Sequence, residues 1–279
     1  MTVTVTTAAS EALRLRYGGE LPDLPSDAPW NDTLAQLLSH RSVRAYRDEP
    51  LPPGTLELLV AAAQSASTSS NLQVFSVVAV EEPEHKARLA KLARNQEHVR
   101  RAPLFLAWVA DLSRIEGIAE RAGQVAEGLE YFEAFLMATV DAALAAQNAV
   151  VALESIGLSC CYIGALRNRP LEVAEELGLP PGTVALFGLC VGYEDGATPA
   201  SVKPRLPQPL VLHRERYDES RVAGGVEAYD TAMGRFYAEQ GLPQSDWSRH
   251  VVARLEKPGS LHGREHLVEI LKRRGFRLR

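Results

Sequence analysis

The sequence predicts an α+β protein, one domain with appended arms, and three observations carry that expectation. Short β-branched and apolar runs alternate with amphipathic stretches of helical period between residues 75 and 191. Residues 128–156 are apolar at almost every position, interrupted only by Glu130, Glu133, Asp141, Gln147, Asn148 and Glu154. Beyond residue 200 the pattern is mainly helical.

The composition sets the bounds. The chain has 279 residues, 46% of them hydrophobic and 23% charged, enough for one large or two small cores and unlike a disordered or fibrous chain. Thirty Lys and Arg against 35 Asp and Glu leave a formal net charge of −5, so no overall positive field exists to hold nucleic acid or an anionic membrane. Small-molecule partners are expected. The longest uncharged stretch of the most apolar region, residues 142–153, falls short of the roughly 20 residues of a membrane helix. The N-terminus alternates Thr with Val and has no basic region ahead of an apolar run, so a cytoplasmic location is expected. Cys160, Cys161 and Cys190 are odd in number and lack C-x-x-C spacing, which reads as buried reduced thiols.

In order along the chain, residues 1–30 carry Gly18-Gly19 and three prolines and read as an extension laid over a surface. Asp32 is the expected N-cap of a helix through Leu34, Leu37 and Leu38 to about His40, followed by an extended exit from Ser42 to Tyr46. Pro52-Pro53 opens a second helix with Leu56, Leu59, Val60 and Ala63 on one side, and the polar run 65–71 is a loop. Residues 75–80 and 104–110 read as strands with an amphipathic helix, 83–93, between them. The apolar stretch 128–156 is one long buried helix of about 43 Å, longer than such a domain is wide, so a second subunit is expected to cover its surplus surface. Gly157 ends it, residues 160–163 and 184–191 are strands, and 170–177 is a short helix. Lys203-Pro204-Arg205-Leu206-Pro207 is a stiff polar connector.

No dinucleotide fingerprint, P-loop, H-E-x-x-H or G-x-S-x-G is present, so a bound phosphate must be held by side chains. His262 and His266 stand four apart without a placed glutamate or third ligand, and no metal site is assigned. His40-Arg41-Ser42-Val43-Arg44 is by composition an anion clamp, or else a solvated basic turn pairing with Asp48 and Glu49. Lys203 and Arg205 form a second basic pair, suited to a phosphate dianion. Gln147-Asn148 reads as a polar pair at a helix or dimer contact. Residues 249–279 hold nine Lys and Arg against three Glu, which reads as a helical arm facing an acidic body or as a nucleic-acid surface.

In order, these blocks resemble the nitroreductase-like FMN oxidoreductases, within them the group of oxygen-insensitive nitroreductases and flavin reductases. The resemblance runs through His40-Arg41-Ser42-x-Arg44, Ser67-Thr68-Ser69-Ser70-Asn71-Leu72-Gln73, Gln96-x-His98-Val99, Ala145-Ala146-Gln147-Asn148-Ala149, Tyr162-Ile163-Gly164-Ala165-Leu166-Arg167-Asn168, Phe187-Gly188-Leu189 and Lys203-Pro204-Arg205-Leu206-Pro207. It covers residues 31 to about 217 and, more loosely, the helical tail. It implies a central, mostly antiparallel sheet flanked by helices, a long central dimer helix, extended terminal arms and one FMN-binding domain over residues 31–279. It also implies a homodimer with FMN at the subunit interface and NAD(P)H as co-substrate.

Residue by residue, His40, Arg41, Ser42 and Arg44 match the first flavin-binding segment, and Ser67, Thr68 and Ser69 a hydroxyl-rich loop. Gln96 matches a side chain bonding the isoalloxazine. Tyr162, Ile163, Gly164 and Ala165 match a strand-end turn whose backbone approaches the ring, and Lys203 and Arg205 a distal pair at the ribityl phosphate. A cationic or N–H-rich wall near flavin N1 favours the reduced state, and one charged hydrogen bond realised only there is worth roughly 30 to 65 mV. The implied activity is ping-pong two-electron reduction of nitroaromatics, quinones or related small aromatic acceptors, or else reduction of free flavin for a partner. A flavin-binding protein without enzyme activity is a further alternative. No residue is assigned as catalytic. Ala165 replaces a second glycine and is expected to put a methyl close to the flavin, and the segment 240–247 is short and lacks basic residues, leaving the nicotinamide preference open.

Overall fold

The computed structural model describes residues 7–19, 22, 24, 25 and 27–279. By its contacts the chain divides into one unit comprising residues up to Arg41 with 201–260, and a second comprising residues 42–200 with 261–279. The division falls inside the motif His40–Arg44, between Arg41 and Ser42.

The larger unit is built on a four-stranded antiparallel sheet of β1 (Phe75–Val80), β2 (Leu104–Asp111), β3 (Ser159–Ile163) and β4 (Thr183–Gly192), in the order β1-β2-β4-β3. The expected α+β class and antiparallel sheet are found. Every residue of β2 is buried, because alternate side chains enter two different cores. Phe105 and Ala107 pack with Leu89, Val99 and Val173, whereas Leu104, Leu106 and Trp108 pack with Ala145, Ala149 and Leu153. The strand runs were legible for this reason.

The helices follow as α1 (Thr7–Tyr17), α2 (Asp32–Ser39), α3 (Thr55–Gln64), α4 (Pro83–Leu92), α5 (Glu97–Arg101), α6 (Ser113–Arg121), α7 (Phe132–Ser155), α8 (Pro170–Glu176), α9 (Val222–Glu239), α10 (Trp247–Leu255) and α11 (Leu267–Arg273). Helix α7 starts later than expected, after a 3₁₀ turn at Glu127–Glu130. It is half-buried instead of fully buried: Ala134, Ala138, Ala142, Ala145 and Ala149 face inward, while Leu136, Val140 and Leu144 are each more than 40% exposed. By length and composition α7 could cross a membrane, but its alanine face packs within the chain against β2 and α3. Asn31, not Asp32, caps α2, its side chain accepting the Leu34 N–H at 2.9 Å.

A second difference lies at the N-terminus, part of which (residues 1–6, 20, 21, 23 and 26) falls outside the described residues. Residues 7–17 are helical where a surface arm was expected, with Ala9, Leu13 and Arg16 buried at i, i+4 and i+7. Gly18 is the helix stop. Its φ of +67° is left-handed, and an added Cβ would lie 2.8 Å from the Ala232 Cβ of α9.

Candidate flavin site

The smaller unit gathers four of the expected cofactor residues. Helix α2 delivers His40 as its C-cap, followed by Arg41, both half-buried. Lys203 and Arg205 are exposed, on a backbone pinned by the Tyr229 hydroxyl, which donates to the Pro204 carbonyl at 2.9 Å. The Lys203 ammonium stands 5.9 Å above the Phe236 ring and 5.8 Å above that of Tyr237. Arg16 links the two segments: its guanidinium donates to the carbonyls of Leu38 and His40 and, at 3.2 Å, to that of Lys203.

In the larger unit, residues 42–46 run beside β3. Ser42 bridges Cys160 in parallel and the Val43 N–H donates to the Cys160 carbonyl at 2.9 Å, so Val43 is buried while Ser42 and Arg44 face outward. The Tyr46 hydroxyl closes the segment by donating to the Val43 carbonyl at 2.7 Å. Arg44 lies near His98, whose imidazole is held below its ordinary pKa by burial and then by that guanidinium. Gln96, half-buried, directly precedes α5 and so shares this neighbourhood through His98. Tyr162 is partly exposed, its ring edge-on to Phe187 at 5.4 Å.

The turn after β3 is a 3₁₀ segment, Gly164–Asn168. Its Arg167 donates to the carbonyl of Leu186, the residue left without a partner where the β2–β4 register shifts. Ile163 and Ala165 are buried, their side chains part of the core. The Ala165 methyl therefore packs into the core of the larger unit. From Ile163 and Ala165, contact with a ligand is left to the backbone.

Ser67, Thr68 and Ser69 precede a loop in which Ser70, Asn71 and Gln73 all have positive φ. Asp141, buried in the middle of α7, holds that loop by accepting the N–H groups of Ser69 at 2.9 Å and Val74 at 3.3 Å. The Ser69 hydroxyl turns to the Met137 sulfur at 3.3 Å. Asn148 donates to the Ala62 carbonyl at 3.3 Å, fastening the end of α3, whereas Gln147 is exposed. The polar pair is thus split, one member serving a helix contact.

Asp141 and Arg16 are the two residues that sequence reading passed over. Asp141 carried one signal, a carboxylate in an otherwise apolar helix; Arg16 carried none. Taken separately, the smaller unit offers exposed cations of the kind that hold a phosphate, and the larger unit offers a guanidinium, an amide and an aromatic edge of the kind that hold a flavin ring.

The model of the nitroreductase family matches residues 37–193, and that of the family's C-terminal domain matches residues 203–279. The chain belongs to the nitroreductase family. This nitroreductase-family chain is 38% identical over 254 residues to an FMN reductase (NADPH) of Bacillus subtilis, covering 88% of this chain and 98% of that one. It is 35% identical over 252 residues to an oxygen-insensitive NADPH nitroreductase of Salmonella typhimurium, covering 88% and 99% respectively. Among solved structures, NfrA1 of B. megaterium superposes with a TM-score of 0.83 at 38% identity, over 88% of this chain and all of that one.

Proposed function

We propose that this chain is an FMN-dependent oxidoreductase that takes electrons from NAD(P)H and reduces nitroaromatics, quinones or related electrophilic acceptors in a ping-pong cycle. The reading rests on one observation joined to the family: two cationic segments far apart in sequence, at His40-Arg41 and Lys203–Arg205, meet on one buried guanidinium. FMN, when bound, supplies two-electron chemistry. The protein's part is to hold and tune it. Lys203 and Arg205 bind the ribityl phosphate with Arg41; Arg44 and Gln96 hold the pyrimidine edge, where positive charge favours the reduced ring. Ser42, Ser67, Thr68 and Ser69 offer hydroxyl and backbone groups to the cofactor, with His40 at the end of α2. Tyr162, Ile163, Gly164 and Ala165 offer the backbone and one ring edge at the end of β3. No side chain is required as a general acid, since water can deliver protons to the reduced acceptor.

A second reading, reduction of free flavin for a partner protein, is favoured by the name of the Bacillus relative. Purified protein is expected to be yellow and to release FMN, not FAD, on denaturation; a colourless protein that takes up no FMN would refute both readings. Steady-state turnover with nitrofurazone against free FMN separates them, and NADH against NADPH with one acceptor fixes the reductant. The segment 240–247 has no basic residue, and Arg249 beyond it pairs with Asp246 at 3.1 Å, so little discrimination in favour of NADPH is expected from this stretch.

The active form is a homodimer with FMN at the subunit interface, supported by the apolar stripe Leu136, Val140 and Leu144 along α7. Its partners are small molecules, not nucleic acid or membrane. A cytoplasmic location is supported by three buried free thiols. Residues 31–279 form the FMN-binding domain with its helical C-terminal arm, and residues 1–30 are an extension to it.

A further inference from the structure

Arg16 is only 6% exposed, yet it carries a formal charge that must be matched where it lies. Its Nη2 donates to the carbonyls of Leu38 and His40, both at 2.6 Å, its Nε to that of Leu38 at 3.1 Å, and its Nη1 to that of Lys203 at 3.2 Å. The backbone closes the same knot, the Arg205 N–H donating to the Arg16 carbonyl at 2.8 Å. Leu38 and His40 stand at the C-terminal end of α2, where carbonyls lack intrahelical partners and a cation is favoured. The planar fork of arginine can serve three carbonyls at once; an ammonium on a flexible stem cannot hold them at fixed spacing. The Arg16 side chain therefore ties the Lys203 backbone directly to that of His40, in addition to the Arg205–Arg16 backbone bond and the Tyr229 hydroxyl on the Pro204 carbonyl.

We propose that Arg16 is a positioning residue for the phosphate end of the flavin site. By tying the His40 and Lys203 carbonyls to one guanidinium, it keeps the side chains of Arg41, Lys203 and Arg205 at the spacing that accepts a single phosphate dianion. Helix α1 lies outside both segments matched by the family models, so part of this chain's cofactor affinity comes from an element beyond them. The inference rests on the FMN reading above, and it assigns Arg16 no contact with the cofactor.

The test compares FMN with riboflavin, which has the same ring and no phosphate. Full-length wild type, Arg16→Met, Arg16→Lys and Arg205→Ala are loaded with either flavin, and dissociation on dilution is followed by the recovery of flavin fluorescence. Arg16→Met is expected to weaken FMN about tenfold, comparable to losing one charged hydrogen bond, while leaving riboflavin unchanged. Arg16→Lys should fall between, and Arg205→Ala should show the same selectivity for the phosphate. Unchanged FMN retention in Arg16→Met overturns the proposal, and so does an equal loss of both flavins, which marks a role in stability alone. If circular dichroism shows Arg16→Met to be unfolded, Arg16→Lys decides, and wild-type FMN retention there is equally fatal. A wild type that binds neither flavin removes the FMN reading itself; one that binds FMN beside unaffected Arg16 variants removes only this inference.

Discussion

The carboxylate of Asp141 accepts the backbone N–H of Ser69 at 2.9 Å, tying a loop of three left-handed residues to the centre of the longest helix. With the second bond to Val74, both oxygens are used on backbone donors that the loop's own geometry leaves unpaired in a ladder. Asp141→Ala removes both acceptors from a site with no exposed surface, so a loss of about 3 kcal/mol is expected in urea unfolding, with faster hydrogen exchange at Ser69 and Val74. Wild-type stability in that variant would show that the loop holds itself.

Gly188, in the middle of β4, has no room for a side chain. A Cβ there would overlap the Phe105 ring, so Gly188→Ala is expected to destabilise by about 1–3 kcal/mol. Combining it with Phe105→Leu should recover part of that loss. Additive effects in the double variant would place the strain elsewhere.

Asp111 predicts a dependence on acid. Burial raises its pKa, but hydrogen bonds from Ser76 and Ser113 and the charge of Arg114 outweigh it, leaving the carboxyl below the ordinary value. A depressed folded pKa means stability that is present above the unfolded value, about 3.9, and lost as pH falls through the folded one. Asp111→Asn should therefore be less stable than wild type at neutral pH and approach it as the pH falls below the ordinary carboxyl range and through the lowered folded value. A gap that stays constant with pH would assign the loss to packing alone.

The outward stripe of α7 predicts the assembly. Leu144→Glu, 45% exposed in the single chain, should leave the monomer folded and move sedimentation from dimer to monomer. Sedimentation of the variant as a wild-type dimer would locate the subunit contact away from α7.

What was legible in the sequence is what local pattern encodes. Phe75–Val80 and Leu104–Asp111 announce themselves as β-branched and apolar runs, and Pro83 opens α4 as its first residue. Helix α5 is five largely charged residues, too short to show a period, and α6, although amphipathic, is a short, largely polar helix with no buried residue, carrying Arg114, Glu116, Glu120 and Arg121. The glycine pair at 18 and 19 read as surface chain because its meaning, a helix stop against Ala232, depends on a helix more than two hundred residues away. Arg16 and Asp141 escaped for the same reason: their partners are backbone groups of remote segments, and backbone groups leave no mark in composition. The resemblance supplied residue types at the candidate site, but which side of the chain Ala165 faces is decided by the turn after β3.

The three thiols lie in the central sheet, with Cys161 directly opposite Cys190 across β3 and β4, and burial keeps all three protonated well past neutrality. Neutral thiols shielded in this way react poorly with alkylating reagents, so labelling can proceed only through molecules whose strands have come apart. The rate at which iodoacetamide or a maleimide marks the native protein thus becomes an internal clock for sheet separation, readable by mass without introducing any foreign probe.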